Sequence, residues 1–306
     1  MGTAVPIFTL FGHHMEAFML SPIATADKAL ESLIDSCERS LNECIAASCP
    51  ALYNAWQHQL AAKGKRLRMH LSLQSSLALG LTDRHCITIA VACELVHQAS
   101  LIHDDVIDAD THRNGKATIW HEYGTATAIC LGDSLLVEAM LQIALLENLP
   151  GTVRQQLTQL FRDAIQAAAE GQLDDCNSEK IASYSYADYC AVVRKKSGAL
   201  FGLPVLAAML ISQQHAIAIG VAHRAYAEFG IAYQLLDDLG DRVADQHCRM
   251  NGYWVLSRDY PDEVEGALRA AVKHHLDEAE RLIESLPSSL HHGFYVVHDS
   301  LRTKLS

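Results

Sequence analysis

The chain has 306 residues, half of them hydrophobic, and a formal net charge of −12. Such a length and apolar content allow a large buried core in one or two domains. The acidic balance excludes a nucleic-acid partner, which needs a basic face, and no run reaches the roughly 18 uninterrupted apolar residues of a transmembrane segment.

Residues 1–22 read as an N-terminal arm. Met1-Gly2-Thr3-Ala4-Val5-Pro6 has no early basic residue for a signal peptide, and Pro6 stands where a myristoylation motif has Ser or Thr. From there helical periodicity dominates and β-alternation is nearly missing. Residues 25–48 form an amphipathic helix. Gly64-Lys65-Arg66-Leu67-Arg68 sets Lys65 and Arg68 three apart as a cationic site. Thr82 caps a helix running to about Asp108. Gly124-Thr125 and Gly151-Thr152 each read as a break followed by a cap, and helices follow over roughly 125–147, 152–176, 184–212 and 215–244. Pro261-Asp262-Glu263 opens a last strong helix. No linker or repeat divides the chain, so residues 23–306 are expected to be one all-α domain, a layered bundle. The nine cysteines include no CxxC pair, and their odd count fits reduced thiols in a cytoplasmic protein better than zinc ligands or disulfides.

The helix over 82–108 is apolar almost all round, which places it in the core. Its end nevertheless carries Asp104, Asp105 and Asp108. Uncompensated buried carboxylates are costly, so something cationic must meet them. Asp104 and Asp108 are four apart and share a helix face. Asp237-Asp238-Leu239-Gly240-Asp241 repeats the DDxxD spacing after another apolar run, with Gln234 one turn before it. Two such motifs on core helices, facing one another, can hold a cluster of magnesium ions on a diphosphate through Asp104, Asp108, Asp237 and Asp241, stabilising the leaving group as a C–O bond breaks. His97 lies two turns below Asp104 on the same stripe. Arg113 can fork onto a diphosphate, Lys196 and Ser197 offer an ammonium and a hydroxyl, and Gly171-Gln172-Leu173-Asp174-Asp175 adds polar groups to another apolar helix. Ala99 and Ser100, about one turn before the first motif, are small and are expected to floor the cavity below the reacting carbon.

The ordered set GKRLR (64–68), ELVHQASLIHDDVID (94–108), RNGKAT (113–118), GD (132–133), GQLDD (171–175), KKSG (195–198) and YQLLDDLGD (233–241) resembles the trans-isoprenyl diphosphate synthases, or polyprenyl synthetase family. The resemblance implies an antiparallel helical bundle around a central cavity, usually a homodimer, and a magnesium-dependent prenyltransferase in which manganese can replace magnesium. It implies that Asp104, Asp108 and Asp237 bind metal, that Arg113, Lys196, Ser197 and Gln234 serve the allylic diphosphate, and that Lys65, Arg68 and His97 hold isopentenyl diphosphate. Three features depart from the pattern. Asn114 replaces a second arginine, Met69 replaces a proline, and no lysine follows the second motif, where Arg242 or Arg249 are the available substitutes. The leading expectation is elongation to a product of about C20. The alternatives are a terpene synthase that converts a prenyl diphosphate alone and a non-catalytic partner subunit of an active synthase.

Overall fold

The computed structural model describes residues 16–62, 64, 66–178, 184–243 and 250–305, and of residues 16–28, 46–48 and 178 the backbone alone. Helix α1 runs Glu16–Ser48, so residues 16–22, read above as part of an N-terminal arm, are helical. Pro22 lies inside this helix. A proline removes a single ladder bond, and the long apolar face that follows, with Leu33, Cys37, Leu41 and Ile45 buried, anchors the helix regardless.

Two short helices that hydropathy alone does not separate come next, α2 (Tyr53–Ala61) and α3 (Leu67–Ala78). Helix α4 spans Asp83–Ile107 with Thr82 as its N-cap, as its apolar composition requires. It packs on α1 and α3 and on two later helical segments, 125–144 and 199–211. After α4 a two-residue β-hairpin, β1 (His112–Arg113) and β2 (Lys116–Ala117), turns through Asn114 and Gly115. Both turn residues have positive φ, +51° and +77°, the conformation that Asn-Gly hairpin turns favour. Helices α5 (Ile119–Tyr123), α6 (Thr125–Ala144) and α7 (Gly151–Ser178) follow.

The segment expected as one helix over 184–212 is α8 (Tyr186–Val193), a π-helical turn (Arg194–Gly198) and α9 (Ala199–Ile211). Helix α10 spans Ala216–Asp241. The short α11 (Gly252–Leu256), then α12 (Val264–Glu284) and α13 (His291–Arg302), complete the chain.

The apolar residues form two clusters. One gathers around α4, α6 and α1 and the other around α10, α12 and α13. Between them lies a cavity of about 1120 Å³, bordered by α3, α4, α6, α7, α9 and α10. Helices α4 and α6 are long and apolar enough to cross a membrane by length and composition, but the apolar window of α4 is 67% buried within the bundle, as a core helix should be.

Candidate active site

The two aspartate motifs occupy the last turns of α4 and α10. Asp104, Asp108, Asp237 and Asp241 all line the one cavity. A helix C-terminus carries about half a negative charge, so both motifs stand where carboxylates are least favourable. Asp104 shows the cost. Burial, together with Asp108 and against the pull of Lys196 and Arg113, raises its pKa from 3.8 to about 6.

The middle aspartates do a different job. Asp238 is 4% exposed and accepts from Tyr189 Oη at 2.7 Å, Gln234 Nε2 at 2.9 Å and the Gly252 amide at 2.6 Å. Asp105, also buried, accepts from Arg113 Nε at 2.8 Å and Nη2 at 2.7 Å. These bonds fix each helix end so that the first and last carboxylates of each motif reach the cavity. They also revise the reading of Arg113. It lines the cavity, but its fork is engaged by Asp105, because the residue next to Asp104 is turned about 100° round the helix toward the hairpin.

Lys196 and Ser197 sit on the π-helical turn, an irregularity common at functional sites. Lys196 Nζ lies 2.5 Å from Asp175 Oδ2. Burial works against its charge, but Asp175, Asp104 and Asp108 raise its pKa overall. Ser197 Oγ donates to Gln234 Oε1 at 3.0 Å, and Gln234 in turn donates to Asp238. Glycines make this arrangement possible. A Cβ on Gly171 would lie 2.4 Å from the Lys196 backbone nitrogen, and one on Gly230 would lie 2.8 Å from Gly198 Cα. Likewise a Cβ on Gly132 would enter the His103 ring, which accounts for the glycine of the Gly132-Asp133 pair.

Below the aspartates, Arg68 Nη1 lies 3.0 Å from His97 Nε2, and the guanidinium is stacked 4.3 Å over Phe201. Burial pushes the His97 imidazole well below its ordinary pKa, and Arg68 adds to this. The neutral ring therefore accepts from Arg68 at Nε2 and carries its hydrogen on Nδ1, an atom with no protein partner. Arg68 Nε is also unpartnered. Two buried donors are thus left over in the cavity, the reverse of what an apolar core tolerates. Lys65, expected beside them, lies outside the described residues. Sequence reasoning missed Glu94, buried at 1%, which holds Arg66 at 2.7 Å and accepts from Gln98. An acid in the middle of the apolar run of α4 was its signal.

Ala99 is a correction. It is fully buried in the α4 core and does not line the cavity, whereas Ser100 does. Four residues of helix return to nearly the same face, while five turn about 140° away. Arg242 is a second correction: its guanidinium packs on Tyr253 and the Leu239 carbonyl, away from the cavity wall. Arg249 lies outside the described residues. The chain just beyond folds back instead, with the Met250 amide donating to Asp175 and Asn251 Nδ2 to the Asp238 carbonyl. Asn114 lines the cavity, and its amide approaches the Ala62 carbonyl at 3.5 Å.

Among the described residues, no three potential ligands converge closely enough to hold a metal by themselves. Oxygen donors split between two helix ends suit a hard ion that completes its shell with water and phosphate oxygens, and the unfavourable siting of the carboxylates calls for such a cation. A stability measurement checks this electrostatic reading. Because the folded pKa of Asp104 lies above the unfolded one, the metal-free fold loses stability as the pH rises from about 4 to about 6. Asp104→Asn should therefore stabilise the metal-free protein at pH 8 by about 1–3 kcal/mol, a gain absent below pH 4 in thermal melts.

The family model for polyprenyl synthetase matches residues 49–250. A geranylgeranyl pyrophosphate synthase of Geoglobus acetivorans is 35% identical over 62% of this chain, and the match spans 59% of that relative's length. A geranylgeranyl diphosphate synthase of Methanosarcina mazei is 29% identical over 83% of this chain and 78% of its own length. The solved structure of the Geoglobus acetivorans synthetase superposes with a TM-score of 0.80 at 24% identity, covering 89% of this chain and 98% of that one. With the matched segment running through α4, the π-helical turn and α10, the chain belongs to the polyprenyl synthetase family.

Proposed function

We propose that the chain is a magnesium-dependent prenyltransferase that ionises an allylic diphosphate and joins it to isopentenyl diphosphate, giving a product of about C20. The observation that carries this reading is the pairing of two aspartate motifs, set against their helix dipoles, with a separate buried cation below them in the same cavity. The relatives named geranylgeranyl diphosphate synthase support the product length.

Asp104, Asp108, Asp237 and Asp241 would hold magnesium, for which manganese can substitute. Such a metal cluster supplies Lewis-acid stabilisation of the leaving diphosphate. Lys196 neutralises the same group from the α9 side, with Ser197 and Gln234 orienting it through their shared hydrogen bond. The apolar wall formed by Val96, Leu101, Leu136, Ile165 and Leu200 takes the tail and keeps water from the cation. Arg68 and His97 Nδ1 hold the second diphosphate, so that the alkene of isopentenyl diphosphate faces the allylic carbon. Attack there forms the new C–C bond, and loss of a proton to the released diphosphate completes the step.

The outer face of α6 supports a homodimer. Ile129, Val137 and Leu141, with Leu145 just past its end, are exposed along a stripe interrupted by Asp133, and exposed apolar side chains grouped in this way are what an interface covers.

Arg68→Ala tests the acceptor assignment. A charge-assisted bond to a buried diphosphate is worth roughly 1.5–3 kcal/mol. KM for isopentenyl diphosphate should therefore rise about ten- to a hundredfold, with the allylic KM little changed. An equal rise in both would refute the assignment. Ser100→Phe tests the cavity. Its ring would enter the tail space and shorten the product by one or more units. Ala99→Phe should instead overpack the α4 core and cost about 1–3 kcal/mol of stability with product length unaltered, as product analysis and melting would read out.

A further inference from the structure

Gln172 is 6% exposed and lines the cavity, and neither its amide oxygen nor its amide nitrogen has a protein partner. Among the described residues, no other side chain leaves two buried polar atoms orphaned. Burying a primary amide in this way is unfavourable, and the ion pairs of the active site make no use of it.

The backbone explains where the amide points. Because Gly171 lets α7 touch the π-helical turn at Lys196, the rotation of α7 is fixed. One stripe of α7 then enters the cavity in the order Ile165, Ala168, Ala169, Gln172, Asp175. Its lower part is apolar, and its upper end is the acid that holds Lys196 at 2.5 Å. Gln172 marks the boundary between them. A substrate with its diphosphate among Asp104, Lys196 and Asp237, and its tail beside Ile165 and Leu136, has its allylic carbons at that boundary.

We propose that Gln172 is a further catalytic residue of this site. Its amide oxygen faces the allylic cation, and its N–H donates to the departing diphosphate. This rests on the ionisation chemistry proposed above. A neutral amide suits the task. The negative end of its dipole stabilises developing positive charge, yet the oxygen is too weakly basic to take a proton from the cation. A carboxylate in the same place would attract the cation and also deprotonate it.

Gln172→Leu and Gln172→Glu separate this from a packing role, since both nearly conserve volume. With magnesium, farnesyl diphosphate and isopentenyl diphosphate, Gln172→Leu should lose about a hundredfold in kcat, with KM for both substrates within about threefold of wild type. Gln172→Glu should divert part of the allylic substrate to hydrocarbon. The C1–O bond breaks, its electron pair leaves with diphosphate, and the introduced carboxylate takes a proton from a carbon next to C3, leaving a conjugated polyene. Gln172→Leu turnover at the wild-type rate overturns the proposal, as does a Gln172→Glu enzyme that forms no polyene. A wild-type protein that consumes no allylic diphosphate overturns the proposed function as well, and the proposal with it.

Discussion

Asp104→Ala and Asp237→Ala should each lower turnover about a thousandfold, at saturating magnesium and with the fold intact. Each carboxylate lines the cavity from a different helix end, and each substitution removes stabilisation realised as the diphosphate departs. The loss should fall mainly on kcat. It should be distinct from that of the neighbouring aspartates. Asp238→Ala strips the acceptor from Tyr189, Gln234 and the Gly252 amide, so three donors lose a buried partner and thermal stability falls with activity. Asp104→Ala removes a buried charge whose pKa is already raised, so the metal-free protein should melt no lower than wild type. Kinetics and melting curves on the same preparations separate the two classes. Full activity of either Asp104→Ala or Asp237→Ala, or of wild type in excess chelator, would contradict the metal role.

Gly171→Ala should cost about 3 kcal/mol of stability and most of the activity. The added Cβ would sit 2.4 Å from the Lys196 nitrogen and 2.8 Å from its Cα. The obstacle is backbone, which cannot swing aside like a side-chain tip. Either α7 moves off the π-helical turn or the turn is reshaped, and Lys196 and Asp175 lose their register in both cases. Gly220→Ala, in the exposed first part of α10 with nothing within 4 Å of its Cβ, is the control. It should gain about 0.5–1 kcal/mol from the lower backbone entropy of alanine. Chemical denaturation of both variants checks the contrast.

Much of this site is legible in the sequence because α4 and α10 violate the usual rule for core helices. Helix α4 is apolar over most of its length, α10 is apolar over Phe229–Tyr233, and each then ends in carboxylates; that conflict identifies a cation site before any geometry is known. Helical spacing also separates Asp104 and Asp108 from Asp105, although the consequence for Arg113 depends on where the hairpin folds. The hairpin was not read, although Asn114-Gly115 forms its turn, because strands of two residues are too short to show alternation. Ala99 was misplaced by one position, which on a helix exchanges core for cavity. Gly171, Gly198 and Gly230 could not be read, because a glycine demanded by close approach reveals its reason only when the opposing backbone is in place. The same holds for Gln172, which in sequence is one polar residue among several on α7. Glu94 was legible as an acid inside an apolar run, but its partner Arg66, 28 positions away, was not.

Labelled isopentenyl diphosphate separates chain elongation from conversion of the allylic substrate alone. Purified protein is incubated with magnesium, farnesyl diphosphate and the labelled acceptor, and products are resolved before and after removal of the diphosphate. One label per chain in a C20 diphosphate is expected, with no turnover in excess chelator. Consumption of farnesyl diphosphate to an unlabelled hydrocarbon or alcohol, at the same rate with and without isopentenyl diphosphate, would contradict elongation and assign the cavity to a terpene synthase.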